Sequence, residues 1–413
     1  MISHVRSIVA LAAAAVVTVV AVGAAPLSAQ HAGHGPYPAR FLYAWTGDAD
    51  RKDSDFLAII DAREGSATYG HVLKTVPAGA SGLYPHHTEQ MLSGTQFFAN
   101  GFTHRTVIWD AADPLAPRLT GELEHVHGFH HVHSFLRLDD GNVLATVQYG
   151  DSTVPGNPGG IALFNPQGKV LRTSSSADAA FPGARIRTYS LDANRASDRI
   201  LTVSSPMDDE RTADVFQLWR LSDLALLRTV RLEPEPDSSE AYPFEARFLA
   251  GGRTALMSTY YCGLYFLRDL DTGAPTARLV HRFATENGNR GCGVPLVVSH
   301  YWVMPVAYGA AVIVLDVADP ERPREVSRLQ MDTTFRPHWL SPDPGSDRIV
   351  LVDQGDNGAP VLMLRLDRAT GALRYDQAFR DAGSARPGVS FRREGWPHGA
   401  SGHAVPHGTF FVP

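Results

Sequence analysis

The chain has 413 residues, a net charge of −6 and two cysteines, with no run of lysine or arginine. The length allows several domains or one large closed architecture, and the charge argues against a nucleic-acid partner. At the N-terminus Arg6 precedes an almost purely apolar stretch, Ile8 to Ala25, and small residues follow up to Ala29. This pattern predicts a secretory signal peptide over residues 1–29, cut after Ala29, and a periplasmic or secreted product. A membrane anchor is the competing reading, because the run is about long enough to span. No later segment resembles a membrane span, so no membrane partner is expected after cleavage. Residues 30–39 read as a flexible leader carrying His31 and His34.

From residue 40 onward the chain repeats itself. Val107-Ile108-Trp109-Asp110-Ala111-Ala112-Asp113-Pro114 and Ile313-Val314-Leu315-Asp316-Val317-Ala318-Asp319-Pro320 are the clearest pair, each followed by a Pro-Arg dipeptide. Weaker copies centre on Ile59, Leu163, Leu218, Phe266 and Leu364, giving a period of about fifty residues. Further apolar strands precede most copies, separated by Gly, Asp and Pro turns. Four short strands per repeat, with no competing helical periodicity, predict a single all-β, seven-bladed β-propeller over 40–413. The first repeat supplies Phe41 to Trp45 and Leu57 to Asp61 but no innermost strand, and the last supplies a lone strand, His407 to Val412. Pairing these ends would complete one blade and close the ring without a free edge.

In such a ring every innermost strand starts at the same end of the central channel. That phase is occupied by His86-His87, His133, a position near Tyr189, Glu245, a position near Pro295, His338 and His407. His125, His127, His130, His131, His398 and His403 lie in segments leading to the same end. Neutral imidazoles converging on a dry site are metal ligands by chemistry, and they suit copper, zinc, iron and nickel. A set of polar residues lining a wet channel is the alternative. His104, His281 and His300 read as structural or surface residues.

Cys262 closes one strand and Cys292 precedes the next blade, both at the histidine end, so a disulfide between them is expected. A thiolate ligand and free thiols are the other readings. There is no Gly-x-Ser-x-Gly elbow of a serine hydrolase. Pro155 to Gly160 lacks the Lys and Ser/Thr of a phosphate-binding loop and reads as a turn.

Four places in order resemble the selenium-binding protein family, which includes bacterial methanethiol oxidase. They are Asp55-Phe56-Leu57-Ala58-Ile59-Ile60-Asp61 followed by His86-His87; His133 before Gly141; Phe244-Glu245-Ala246-Arg247-Phe248-Leu249; and Gly402-His403-Ala404-Val405-Pro406-His407. The resemblance is distant but spans most of the chain. It implies a seven-bladed propeller whose copper is held by His86, His87, His133 and His407. Glu245, His338, His130, His131, His398 and His403 are then the candidates to orient those rings by taking their second N–H. It further implies oxidation of a small thiol such as methanethiol by oxygen, to formaldehyde, hydrogen sulfide and hydrogen peroxide. Zinc or another divalent metal remains compatible with the imidazoles.

One departure matters. The family often follows the paired histidines with a Trp and a cysteine-bearing run, whereas this chain has Thr88-Glu89-Gln90-Met91-Leu92-Ser93. Selenium or thiol chemistry at that cysteine is therefore unavailable here. Three functions follow from the residues: a copper-dependent thiol oxidase, a non-catalytic metal-binding propeller, and an interaction scaffold with an empty channel. The oligomeric state is left open.

Overall fold

The computed structural model describes residues 39–413 apart from 124, 209, 235–239, 286–290 and 356–357. The expected signal peptide, and the leader up to residue 38, lie outside the described residues. Among the described residues no helix is long and apolar enough to cross a membrane.

Seven antiparallel sheets form the blades of a propeller. Their innermost strands are Ala404–Val412, Pro85–Thr88, Phe129–Arg137, Thr188–Asn194, Pro243–Phe248, Leu296–Val298 and Pro337–Pro342, for blades 1 to 7 respectively. Blade 1 is assembled from both ends of the described chain. Ala404–Val412 pairs with Phe41–Asp48, aligning Phe41 with Val412 and Tyr43 with Phe410. The ring is thus closed by backbone hydrogen bonds, and no inner edge is left to template aggregation.

The period-2 pattern explains the packing. The middle strands of each blade are apolar on both faces, as in Phe56–Asp61 and Ala311–Asp316, because each blade is covered on both sides by its neighbours. The outer strands, such as Arg118–Leu123, alternate toward solvent. Apolar clusters therefore sit between adjacent blades, for example Trp45, Phe97, Trp109 and Phe410 between blades 1 and 2. Burying an aromatic side chain of this kind is worth roughly 2–3 kcal/mol.

Two features go beyond the repeat pattern. Blade 3 has a fifth strand, His125–Val126, which folds back on Phe129 and His130 through His127-Gly128. Both turn residues have positive φ, 45° and 86°, the signature of the tight hairpin turn whose twist matches antiparallel strands. The second feature concerns the inner strands. In six of the seven, the register with the next strand is interrupted: at His86-His87, His133-Ser134, Tyr189-Ser190, Phe244, His338 and His407-Gly408. Each break places an extra residue on the inner strand. Such bulges turn side chains out of the sheet plane, here at the positions that face the axis.

Candidate metal centre

The bulges deliver five histidines to one place. His86, His87, His133, His338 and His407 are 3, 1, 0, 3 and 7 % exposed. Among the described residues they form two overlapping groups, His86/His87/His133 and His87/His338/His407, each with its ring nitrogens within 4.8 Å of one another. His86 and His87 stack with ring centres 4.0 Å apart, and His407 packs 4.4 Å from His86. The close approach of blades 1 and 2 needs glycine at 408. A Cβ there would meet the Thr88 nitrogen at 2.8 Å and the His86 carbonyl oxygen at 2.9 Å.

The surroundings orient the rings and keep them neutral. His133 Nδ1 lies 2.9 Å from the Tyr189 carbonyl oxygen, which can only accept. Nδ1 must therefore carry the proton and leave a lone pair on Nε2. That Nε2 is 3.1 Å from His86 Nε2. Burial, reinforced by the neighbouring imidazoles, holds His86, His87 and His407 well below the ordinary histidine range. Burial also brings His133 down to about 3 and His338 down to about 4. Aromatic rings complete the wall: Tyr189 against His133 at 3.9 Å, Trp339 against His87 at 4.8 Å and Phe102 against His86 at 4.2 Å.

The residues fit a metal ion. His86 Nδ1, His87 Nε2, His338 Nε2 and His407 Nδ1 are buried without a hydrogen-bond partner. Orphaned buried polar atoms normally cost stability and so point to a missing partner. Two imidazole nitrogens on one ion, each about 2.0–2.1 Å from it, lie about 2.9–3.3 Å apart for square-planar to tetrahedral angles. The 3.1 Å separation of His86 and His133 falls in that interval. An all-imidazole set suits copper, zinc, iron or nickel and not magnesium or calcium.

The histidines also divide the channel. On one side a cavity of about 740 Å³ reaches His86, His338 and His407 and is walled largely by Tyr84, Phe102, Tyr189, Tyr242, Phe244 and Tyr260. On the other side a space of about 70 Å³ borders His87 and the charged residues Glu89, Arg137, Asp192, Glu245 and Arg247. Four of these residues pair off, Glu89 with Arg137 at 2.6 Å and Glu245 with Arg247 at 2.7 Å, while Asp192 accepts from the Phe248 and Ala193 N–H groups.

The outer set expected from the sequence is rearranged. His338 belongs to a ligand group instead of merely orienting one. The Glu245 carboxylate is taken by Arg247, so it does not receive a ring N–H. His130 stacks on Tyr149 at 5.1 Å. His131 is buried 6.4 Å from His133, centre to centre, and neither of its ring nitrogens has a partner. His398 bonds Thr75 through Nδ1 at 2.6 Å and packs on Phe56 in the core between blades 1 and 7. His403 is exposed. Neither is among the clustered histidines, since His398 is held against blade 1 by Thr75 and Phe56. The Tyr189 carbonyl orients the His133 ring, and Asn100 holds the backbone of His87 and His133 in place. Cys262 and Cys292 form a disulfide with Cα atoms 5.2 Å apart, so neither offers a thiolate to a metal.

The chain shares its fold with a selenium-binding protein. That structure, a hypothetical selenium-binding protein from Sulfolobus tokodaii, superposes with a TM-score of 0.69 at 14% identity, covering 91% of this chain and 94% of the other. The periplasmic gluconolactonase of Pseudomonas aeruginosa gives a TM-score of 0.61 at 14% identity over 90% of this chain and 99% of that one. A putative 6-phosphogluconolactonase from Bacteroides fragilis gives 0.58 at 11% over 91% and 98%. No family model matches the sequence. No curated protein matches it either. At these identities the likeness establishes the propeller alone, and propellers host many chemistries.

Proposed function

We propose that this chain is a copper-binding propeller that oxidises a small thiol with oxygen and water to an aldehyde, hydrogen sulfide and hydrogen peroxide. The observation that carries the reading is a cluster of five buried, neutral imidazoles, four of them with an orphaned ring nitrogen and three of them facing an open cavity. The sequence resemblance described above supports both the metal and the thiol. The disulfide supports export to an oxidising compartment.

His86, His87, His133, His338 and His407 are the residues that would hold the ion. When bound, copper supplies single-electron exchange and favours the thiolate form of a sulfur ligand. The chain's own contribution is positional. Tyr189 fixes the His133 tautomer through its carbonyl, and Trp339, Tyr189 and Phe102 exclude water from the rings. The aromatic cavity takes up the apolar part of a thiol.

A second reading, copper binding without catalysis, is favoured by the state of the cavity's carboxylates. Asp55 accepts from the Asp48 and Leu83 N–H groups, and Asp208 is bonded by the Tyr149 hydroxyl. No free carboxylate base faces the floor among the described residues lining the cavity. Metal analysis of the purified protein, followed by peroxide detection with methanethiol, tests both. One copper per chain with thiol-dependent peroxide supports the oxidase; copper without peroxide leaves binding alone; no copper overturns both.

A further inference from the structure

We propose that the hairpin of blade 3 is the entry route for the metal: a ladder of histidines that captures the ion at the surface and passes it to His133. This rests on the metal reading above and adds a function to residues outside the five ligands.

The hairpin sequence, His125-Val126-His127-Gly128-Phe129-His130-His131-Val132-His133, has five histidines in nine residues. It contains a fifth strand that, among the described residues, the other six blades lack. The loop of blade 2 brings His104 against it. Ring centres then follow one another at 6.5 Å (His125 to His130), 5.7 Å (His130 to His104), 4.4 Å (His104 to His131) and 6.4 Å (His131 to His133). An ion about 2.1 Å from a nitrogen lies about 3.2 Å from the ring centre, so two rings can share an ion when their centres are up to about 6.5 Å apart. Every step of the ladder is within or at that limit.

The path leads from solvent-exposed rings to buried ones, with His104 a second exposed ring midway along it. His125, His127 and His104 are exposed, His130 is half-buried, and His131 and His133 are buried. His131 is 2 % exposed, yet neither ring nitrogen has a hydrogen-bond partner. Its backbone is left-handed, with φ 60°, a conformation an ordinary side chain rarely adopts. A purely structural residue at that position would be apolar or hydrogen-bonded; two free nitrogens between neighbouring imidazoles suit transient ligation. The open cavity does not replace this route. It reaches His86, His338 and His407 only, whereas His133 lines neither cavity and meets the ladder directly.

The test uses the full-length protein stripped of metal and a variant carrying His104→Asn, His125→Ala and His130→Ala. Asparagine is chosen at 104 because the backbone there is left-handed, with φ 68°. Cu(I) is supplied as its bicinchoninate complex at one equivalent, and transfer is followed by loss of the complex colour. Copper retained after gel filtration is then measured by atomic absorption. The expected result is loading at least about tenfold slower in the variant, because a capture site next to the centre raises the effective metal concentration there, with the same final copper as wild type. Equal loading rates would overturn the ladder while leaving the metal centre standing. A wild-type protein that retains no copper would overturn the metal centre itself, and the ladder with it.

Discussion

The side-chain amide of Asn100 donates to the carbonyl oxygen of His133 at 2.8 Å, although the two residues belong to different blades. The same amide nitrogen donates to the Val132 carbonyl at 2.7 Å, and Oδ1 accepts from the backbone N–H of His87 at 2.7 Å. One buried side chain thus locks the bulge that presents His87 to the bulge that presents His133. Asn100→Asp keeps the acceptor but turns a donor into an oxygen facing two carbonyls. It should lower copper affinity by roughly 10–100-fold, the usual effect of removing an outer partner of a ligand. Competition with a chelator of known affinity measures this, and an unchanged affinity would remove Asn100 from the site's support.

His87 belongs to both ligand groups, whereas each of the other four belongs to one. His87→Ala should therefore reduce copper affinity more than His338→Ala, and by more than about 100-fold relative to wild type. Both variants should keep the far-ultraviolet spectrum of the fold, since ring closure comes from strand pairing. If His338→Ala binds as tightly as wild type, the His87/His338/His407 group is not used.

Asp192 gives the channel a pH dependence of its own. Burial pushes its carboxyl up to about 7, against the opposing pull of Arg247 and the Phe248 and Ala193 N–H groups, with Glu245 adding to the rise. The folded state then holds a proton that the unfolded state releases near pH 4, so this group's contribution is full below about pH 4 and is lost as pH climbs toward 7. A tenfold difference in proton affinity between the two states is worth about 1.4 kcal/mol. The stability advantage of wild type over Asp192→Asn should accordingly shrink between about pH 4 and pH 8 in denaturant titrations. A constant difference across that range would contradict the raised value.

The disulfide closes a loop of 30 residues between Cys262 and Cys292. Chain-entropy arguments assign such a loop about 3–4 kcal/mol. The double variant Cys262→Ser/Cys292→Ser should lose stability on that scale in chemical denaturation while retaining its copper, because neither sulfur is among the clustered ligands.

The architecture and the buried histidine cluster are legible in the sequence for one reason: both depend on repeat phase. A period of about fifty residues fixes which residues begin an inner strand. His86, His87, His133, His338 and His407 all share that phase, and the structure brings them together. Phase does not report side-chain direction. Glu245 occupies the same phase, but its carboxylate bonds Arg247 two residues further along the strand, on the charged side of the histidine layer. Only the family resemblance, which names four other histidines, sets His338 apart from the ligands. His398 and His403 precede an inner strand in sequence, and only the path of the intervening segment, with Trp396 packed on Phe56, shows that they stay outside. Asn100 carries no signal, since a lone asparagine in a strand has no motif. His104 has none either, because its partner His131 comes from the next blade.

The strand from Ala404 to Val412 both completes blade 1 and carries His407. A ribosome-bound chain therefore has neither a closed ring nor the complete histidine cluster until residues 404–412 emerge. Closure of the ring must wait for the pairing of Phe41 with Val412, two residues at opposite ends of the propeller sequence. Contacts so distant along the chain slow the final closure of the ring, whereas the other six blades are each local in sequence. Metal acquired too early would meet only partial sites. The strand that closes the ring is thus also the one that completes the histidine cluster, so closure and assembly of the site are a single event.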